Sequence, residues 1–137
     1  MRSAGALALG WVLFVGCGGP SDDVLAQFNL DGIKGPNVSA SVLDGATCLV
    51  VCGCQPCVDA ASGVSRRGDT NIVLLGQLPV TEMRKFVQRT AWGGVAYSDP
   101  GSRLSLHFGL LSCPKRVRFS RGSIQHLDLP IEERSKN

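Results

Sequence analysis

The stretch Thr47-Cys48-Leu49-Val50-Val51-Cys52-Gly53-Cys54-Gln55-Pro56-Cys57-Val58-Asp59-Ala60-Ala61 changes character twice within fifteen residues. Thr47 to Val51 is a short, continuous apolar run, the pattern of a strand covered on both faces. A cysteine-rich turn follows. From Gln55 onward the chain reads as a helix, with Pro56 at an early position where a missing N–H needs no partner. Gly63 predicts that this helix is short or frayed.

Working outward, Gln27 to Ala46 is rich in Gly, Asp, Ser and Asn and carries a Gly35-Pro36 turn signal, so short extended pieces and turns are expected. Downstream, Ile72-Val73-Leu74-Leu75 is a second buried strand. Thr81 is expected to cap the next helix, with Glu82 favourable beside its positive end. Met83, Phe86, Val87 and Ala91 share one stripe of that helix, and Gly93-Gly94 stops it. Val95 to Tyr97 reads as a third strand. Asp99-Pro100-Gly101 turns the chain into a brief helix around Leu104 to Phe108. Arg116–Phe119 and Ser123–Leu127 form a hairpin about Arg121-Gly122. Alternation of strands and helices implies an α/β fold, a central sheet with helices on its faces. In such sheets chemistry sits where a strand ends and the next helix begins, and Cys54 and Cys57 stand at such a place.

Those two cysteines carry the chemical signal. A zinc site wants a second Cys or His pair at comparable spacing downstream. His107 and His126 are isolated and read as ordinary surface or packing residues, and Cys113 stands alone, so no metal or cofactor is expected. A cysteine at a helix N-terminus faces unpaired N–H groups that stabilise thiolate over thiol. On that logic Cys54 attacks a disulfide, and Cys57, one turn on, resolves the mixed disulfide. Cys48, inside the apolar run, reads as a small buried hydrophobe. Cys52, two residues before Cys54, is an accessory thiol that can pair with a neighbour or bind a soft metal.

The chain's start suggests where this chemistry takes place. Arg2 is the sole charge of the first sixteen residues, an apolar run spans Ala4 to Val15, and the small Gly16 precedes Cys17, the order of a secretory signal. Phe14-Val15-Gly16-Cys17 resembles the lipobox of bacterial lipoproteins, with Phe14 where that family prefers Leu. The resemblance implies removal of residues 1–16, lipidation of Cys17, and a flexible tether over 17–26. Without Arg2, 13 basic residues face 11 acidic ones, a mild balance that demands neither nucleic acid nor an acidic substrate. The basic stretch Lys115-Arg116-Val117-Arg118 reads as a solvated strand face. Beyond Cys17 the chain holds five cysteines, an odd number, four of them within ten residues. That spacing suits a reactive site better than a stapled scaffold, and export allows disulfides to persist.

From Phe28 to Leu127 the chain resembles the thioredoxin-like redoxins of the alkyl-hydroperoxide-reductase/thiol-specific-antioxidant superfamily. Phe28-Asn29-Leu30-Asp31-Gly32 is similar to the family's opening segment and Val42-Leu43-Asp44-Gly45 to the turn before its first core strand. Cys54-Gln55-Pro56-Cys57 matches the redox motif, Tyr97-Ser98-Asp99-Pro100 a later strand and turn, and Arg121-Gly122-Ser123-Ile124 the closing hairpin. The resemblance implies a thioredoxin-like fold over 27–130, a central mixed sheet flanked by helices, followed by a polar tail at 131–137. It also implies a cis-proline at Pro114, which would set Cys113 against the redox pair. Gly53 departs from the large residue usual before the first cysteine. The Pro/Thr pattern of the peroxidase branch is absent, which argues against peroxidase activity.

Of the branches, membrane-tethered thiol–disulfide oxidoreductases of the bacterial envelope fit best, monomeric enzymes acting on protein thiols and disulfides from the periplasmic or extracellular face. Two alternatives stay open. One is a Cu(I)-binding chaperone using thiolates at 52, 54, 57 and 113; the other is a degenerate redoxin that only binds a partner.

Overall fold

A computed structural model describes residues 23–128. The expected signal segment, Cys17 and the 131–137 tail lie outside the described residues. The order of elements is α1 (Asp23–Ala26), β1 (Asn29–Gly32), β2 (Val38–Ser39), a 3-10 turn (Ala40–Leu43), β3 (Thr47–Val51), α2 (Gln55–Arg67), β4 (Ile72–Gly76), α3 (Val80–Thr90), β5 (Ala96–Ser98), a second 3-10 turn (Pro100–Ser102), α4 (Arg103–His107), β6 (Lys115–Ser120) and β7 (Ser123–Leu127). The strands form one mixed sheet in the order β2-β1-β5-β4-β3-β6-β7. β3, β4 and β5 run parallel, and β1 and β6 pair antiparallel at either side of them.

The continuous apolar run of β3 follows from its place in the sheet. Successive side chains point to opposite faces. Leu49 and Val51 enter a cluster with Val58, Ala61 and Val64 of α2 and Met83 and Phe86 of α3. Cys48 and Val50 enter a second cluster with Leu25, Leu43, Leu104, Val117 and Phe119. Both faces are covered, so every position of the strand after Thr47 is buried, which is why the run is continuously apolar.

Four local details differ from the sequence expectations, each for a physical reason. α2 is neither short nor frayed: it runs through Gly63, which is buried on the sheet-facing stripe. One interior glycine costs a helix about 1 kcal/mol, and burial of Val58, Ala61 and Val64 around it outweighs that. The helix ends instead at Gly68, whose φ of 73° is the left-handed C-cap. α3 begins at Val80 after Pro79, so Thr81 lies inside the first turn and caps nothing, while Glu82 does sit in that turn. Ala91 is exposed in the left-handed cap of α3, and Trp92 takes the buried place, its Nε1–H donating to the Val95 carbonyl. Finally, order begins before residue 27: Leu25 of α1 is buried in the second cluster, which the tether reading of 17–26 did not foresee.

Other expectations hold. Val117 and Phe119 are buried while Arg118 is exposed, so the basic stretch is a strand face as alternation requires. Arg121 and Gly122 both have positive φ, the geometry of the tight turn between β6 and β7. No helix among the described residues is long and apolar enough to cross a membrane.

Candidate redox site

The site lies where β3 gives way to α2. Cys54 is the N-cap of α2 in extended geometry, and its carbonyl accepts from the N–H groups of Cys57 and Val58. Gln55 and Pro56 fill the first turn, so the helix turns Cys57 inward while Cys54 stays at the rim. Cys57 is fully buried, 0% exposed, and Cys54 is half-buried. Their sulfurs are 3.1 Å apart. A disulfide needs about 2.05 Å, so bond formation asks for a movement of roughly 1 Å.

Two further thiols join them. Cys52, at the end of β3, has its Sγ 3.7 Å from that of Cys57, and its N–H donates to the same sulfur at 3.2 Å. Cys113 arrives from the loop before β6. The Cys113–Pro114 peptide is cis, as the resemblance implied. That loop is tied to the end of β4 by Gln77, whose Nε2–H donates to the Leu110 carbonyl. The Sγ atoms of Cys52, Cys54, Cys57 and Cys113 all lie within 4.8 Å of one another. Sequence spacing shows the first three as neighbours; the fourth is signalled only by the resemblance, and the fold brings it to them.

The four thiols do not behave alike. Burial pushes the Cys57 thiol far up; the Cys52 N–H pulls the other way, and contacts with Cys54 and Cys113 add to the rise. Burial, then a hydrogen bond with Cys52, pushes Cys113 up to about 12. Burial also pushes Cys52 up, but hydrogen bonds from the Cys113 thiol, from the backbone and thiol of Cys54, and from the Cys57 thiol outweigh it and hold Cys52 below the ordinary cysteine value.

The remaining candidates fall outside the cluster. Cys48 is buried on the opposite face of β3, where desolvation alone raises its thiol to about 12. His107 is exposed and packs between Phe28 and Phe108, with ring centroids 5.3 and 4.8 Å away, and His126 is exposed on β7. Sequence reading missed the surroundings of the rim. Leu78, Glu82, Lys85, Phe86 and Arg89 form an open groove of about 300 Å³ that reaches Gly53, immediately before Cys54. Nothing in the local pattern of α3 marks these residues, because they serve the helix and the groove at once.

No protein-family model matches this sequence, and no curated protein matches it. Solved structures do. A secreted Mycobacterium tuberculosis disulfide oxidoreductase homologous to E. coli DsbE shares 17% identity over 80% of this chain and 88% of its own, with a TM-score of 0.61. M. tuberculosis DsbF is similar at 15% identity, covering 82% of this chain and 92% of its own, with a TM-score of 0.59. Xanthomonas campestris peroxiredoxin Q matches at 9% identity over 82% of this chain and 89% of its own, with a TM-score of 0.55. These neighbours are thiol–disulfide oxidoreductases and a peroxiredoxin, and the fold of this chain is the thioredoxin-like fold they share.

Proposed function

We propose that the protein is a thiol–disulfide oxidoreductase acting on protein thiols and disulfides, with Cys54 as nucleophile and Cys57 as resolving thiol. The observation that carries this reading is the pairing of a rim cysteine with a fully buried one, their sulfurs 3.1 Å apart. A partner's disulfide can reach Cys54 and cannot reach Cys57. The Cys54 thiolate bonds to one sulfur of that disulfide, and the other sulfur leaves as thiolate. The Cys57 sulfur then bonds to Cys54, its proton passing to a departing thiolate, and the partner leaves with both its sulfurs reduced. Two electrons move to the partner, and the reverse sequence oxidises it.

Residues 1–16 as a signal segment and Cys17 as a lipidated residue place this chemistry, on our reading, at the membrane of the bacterial envelope, with the enzyme acting as a monomer. The secreted character of the M. tuberculosis neighbour supports an exported setting. Insulin disulfide reduction tests the assignment: Cys54→Ser is expected to abolish exchange, and Cys57→Ser to accumulate a mixed disulfide with the substrate. Full exchange by the Cys54→Ser protein would sink the reading.

A further inference from the structure

We infer that the reduced site takes a single zinc ion, held by the converging thiols of Cys52, Cys54, Cys57 and Cys113. Three of the sulfurs come from one turn, and the fourth reaches them from the loop before β6. All four lie within 4.8 Å of one another, and Cys52 and Cys57 are 3.7 Å apart. A tetrahedral centre with Zn–S bonds of about 2.3 Å sets its sulfurs roughly 3.8 Å from one another. The four thiols therefore close on an ion with displacements of about 1 Å or less.

Among the described residues the donor set is sulfur alone, with no carboxylate or imidazole in the cluster. Such a set selects thiophilic ions. Cu(I) is satisfied by two or three thiolates, whereas four are what zinc takes in its closed sites. Around the ion, the Cys52 N–H already aims at the Cys57 sulfur, the kind of outer hydrogen bond that orients a ligand. Cys52, Cys54 and Cys113 are half-buried, which leaves an entry path. On binding, four thiols give up four protons and four Zn–S bonds form, with no change of oxidation state. If Cys54 and Cys57 are also the redox pair (a consequence that rests on the function proposed above), their disulfide removes two ligands and releases the ion.

The test uses the full chain in detergent, reduced and free of metal, titrated with Co²⁺ and then Zn²⁺. One Co²⁺ per chain with the intense visible bands of a tetrahedral four-thiolate site is expected, bleached by one equivalent of Zn²⁺. Cys113→Ser and Cys52→Ser should each weaken zinc by more than about 100-fold, the upper end of what loss of an outer-shell partner costs. Cys48→Ala, outside the cluster, should bind as the unaltered chain does. Cys113→His, which keeps a fourth donor, should still bind one Co²⁺ with bands shifted to shorter wavelength, so a folding defect is told apart from a lost ligand. Absence of stoichiometric binding, or unchanged zinc affinity in Cys113→Ser, overturns the inference. Insulin reduction by the metal-free chain, run alongside, separates the two proposals: exchange without zinc binding defeats the zinc site alone, and zinc binding without exchange defeats the oxidoreductase reading alone.

Discussion

Cys48 and Cys52 stand four residues apart in one sequence run, Cys48 within β3 and Cys52 just past its end, yet they lie in unlike surroundings. Cys48 points into the cluster formed with Val50, Val117 and Phe119, where burial alone acts and the thiol rises to about 12. Cys52 is only half-buried and is ringed by the Cys113, Cys54 and Cys57 thiols and the Cys54 backbone, whose hydrogen bonds outweigh its desolvation, so its thiol falls below the ordinary value. The difference lies in the surroundings, full burial without partners against partial burial among several donors, not in the residue. A buried cysteine without partners is a small hydrophobe; the same residue where a strand ends and several donors converge becomes an acceptor of protons and bonds.

The comparison can be broken most severely at Cys54 and Cys57, the proposed redox pair. Cys54→Ser is expected to lower insulin reduction by at least about 1,000-fold, since a hydroxyl is a poor nucleophile at neutral pH, while Cys48→Ala leaves the rate unchanged. Alkylation of the reduced, metal-free protein, mapped by mass, sharpens it next. Burial pushes the Cys113 thiol up to about 12, whereas hydrogen bonds from its neighbours hold the Cys52 thiol below the ordinary cysteine value. Cys52 therefore carries more thiolate than Cys113 near pH 7 and is expected to be alkylated faster. The gap closes as pH rises toward 12, because Cys113 then ionises too. Equal rates for Cys52 and Cys113 at neutral pH would break the comparison.

Smaller effects belong to the face that holds Cys48. Asp99 is 2% exposed, and its carboxylate accepts from the Leu104 N–H at 3.1 Å and from the N–H and hydroxyl of Ser105, both at 2.8 Å. Replacing it with Ala strands those donors, and urea unfolding should report a loss of about 2–3 kcal/mol with exchange chemistry retained. Cys48→Ala leaves a small void and should cost about 1 kcal/mol in the same measurement. A Cys48→Ala protein with impaired exchange would show that the two faces are coupled after all.

How much of this was legible in the sequence depends on range. The β3-turn-α2 junction could be read because its signals are local: an apolar run with no polar break, a proline where helix starts tolerate one, and cysteines one turn apart. The Arg121-Gly122 hairpin was legible for the same reason. Gly63 misled, since helix propensity is a weak force beside burial of the stripe it interrupts. Thr81 misled because a capping residue is only a cap if the helix starts there, and Pro79 starts it sooner. The fourth thiol was hardest to read. Spacing left Cys113 alone, and no local pattern says that the loop before β6 folds back against α2; only the resemblance, through its cis-proline, pointed there. The same blindness hid the groove beside Gly53, whose walls come from α3 and the segment before it.

Equilibration of the full chain across a series of glutathione buffers, with quenching and mass mapping of every cysteine, bears on the central claim without any substitution. Cys54 and Cys57 should interconvert together as one two-electron couple, with a potential between about −270 and −120 mV, while Cys48 stays reduced throughout. A Cys54–Cys57 pair that remains locked in either state across the series, or thiols that oxidise independently of each other, would contradict it.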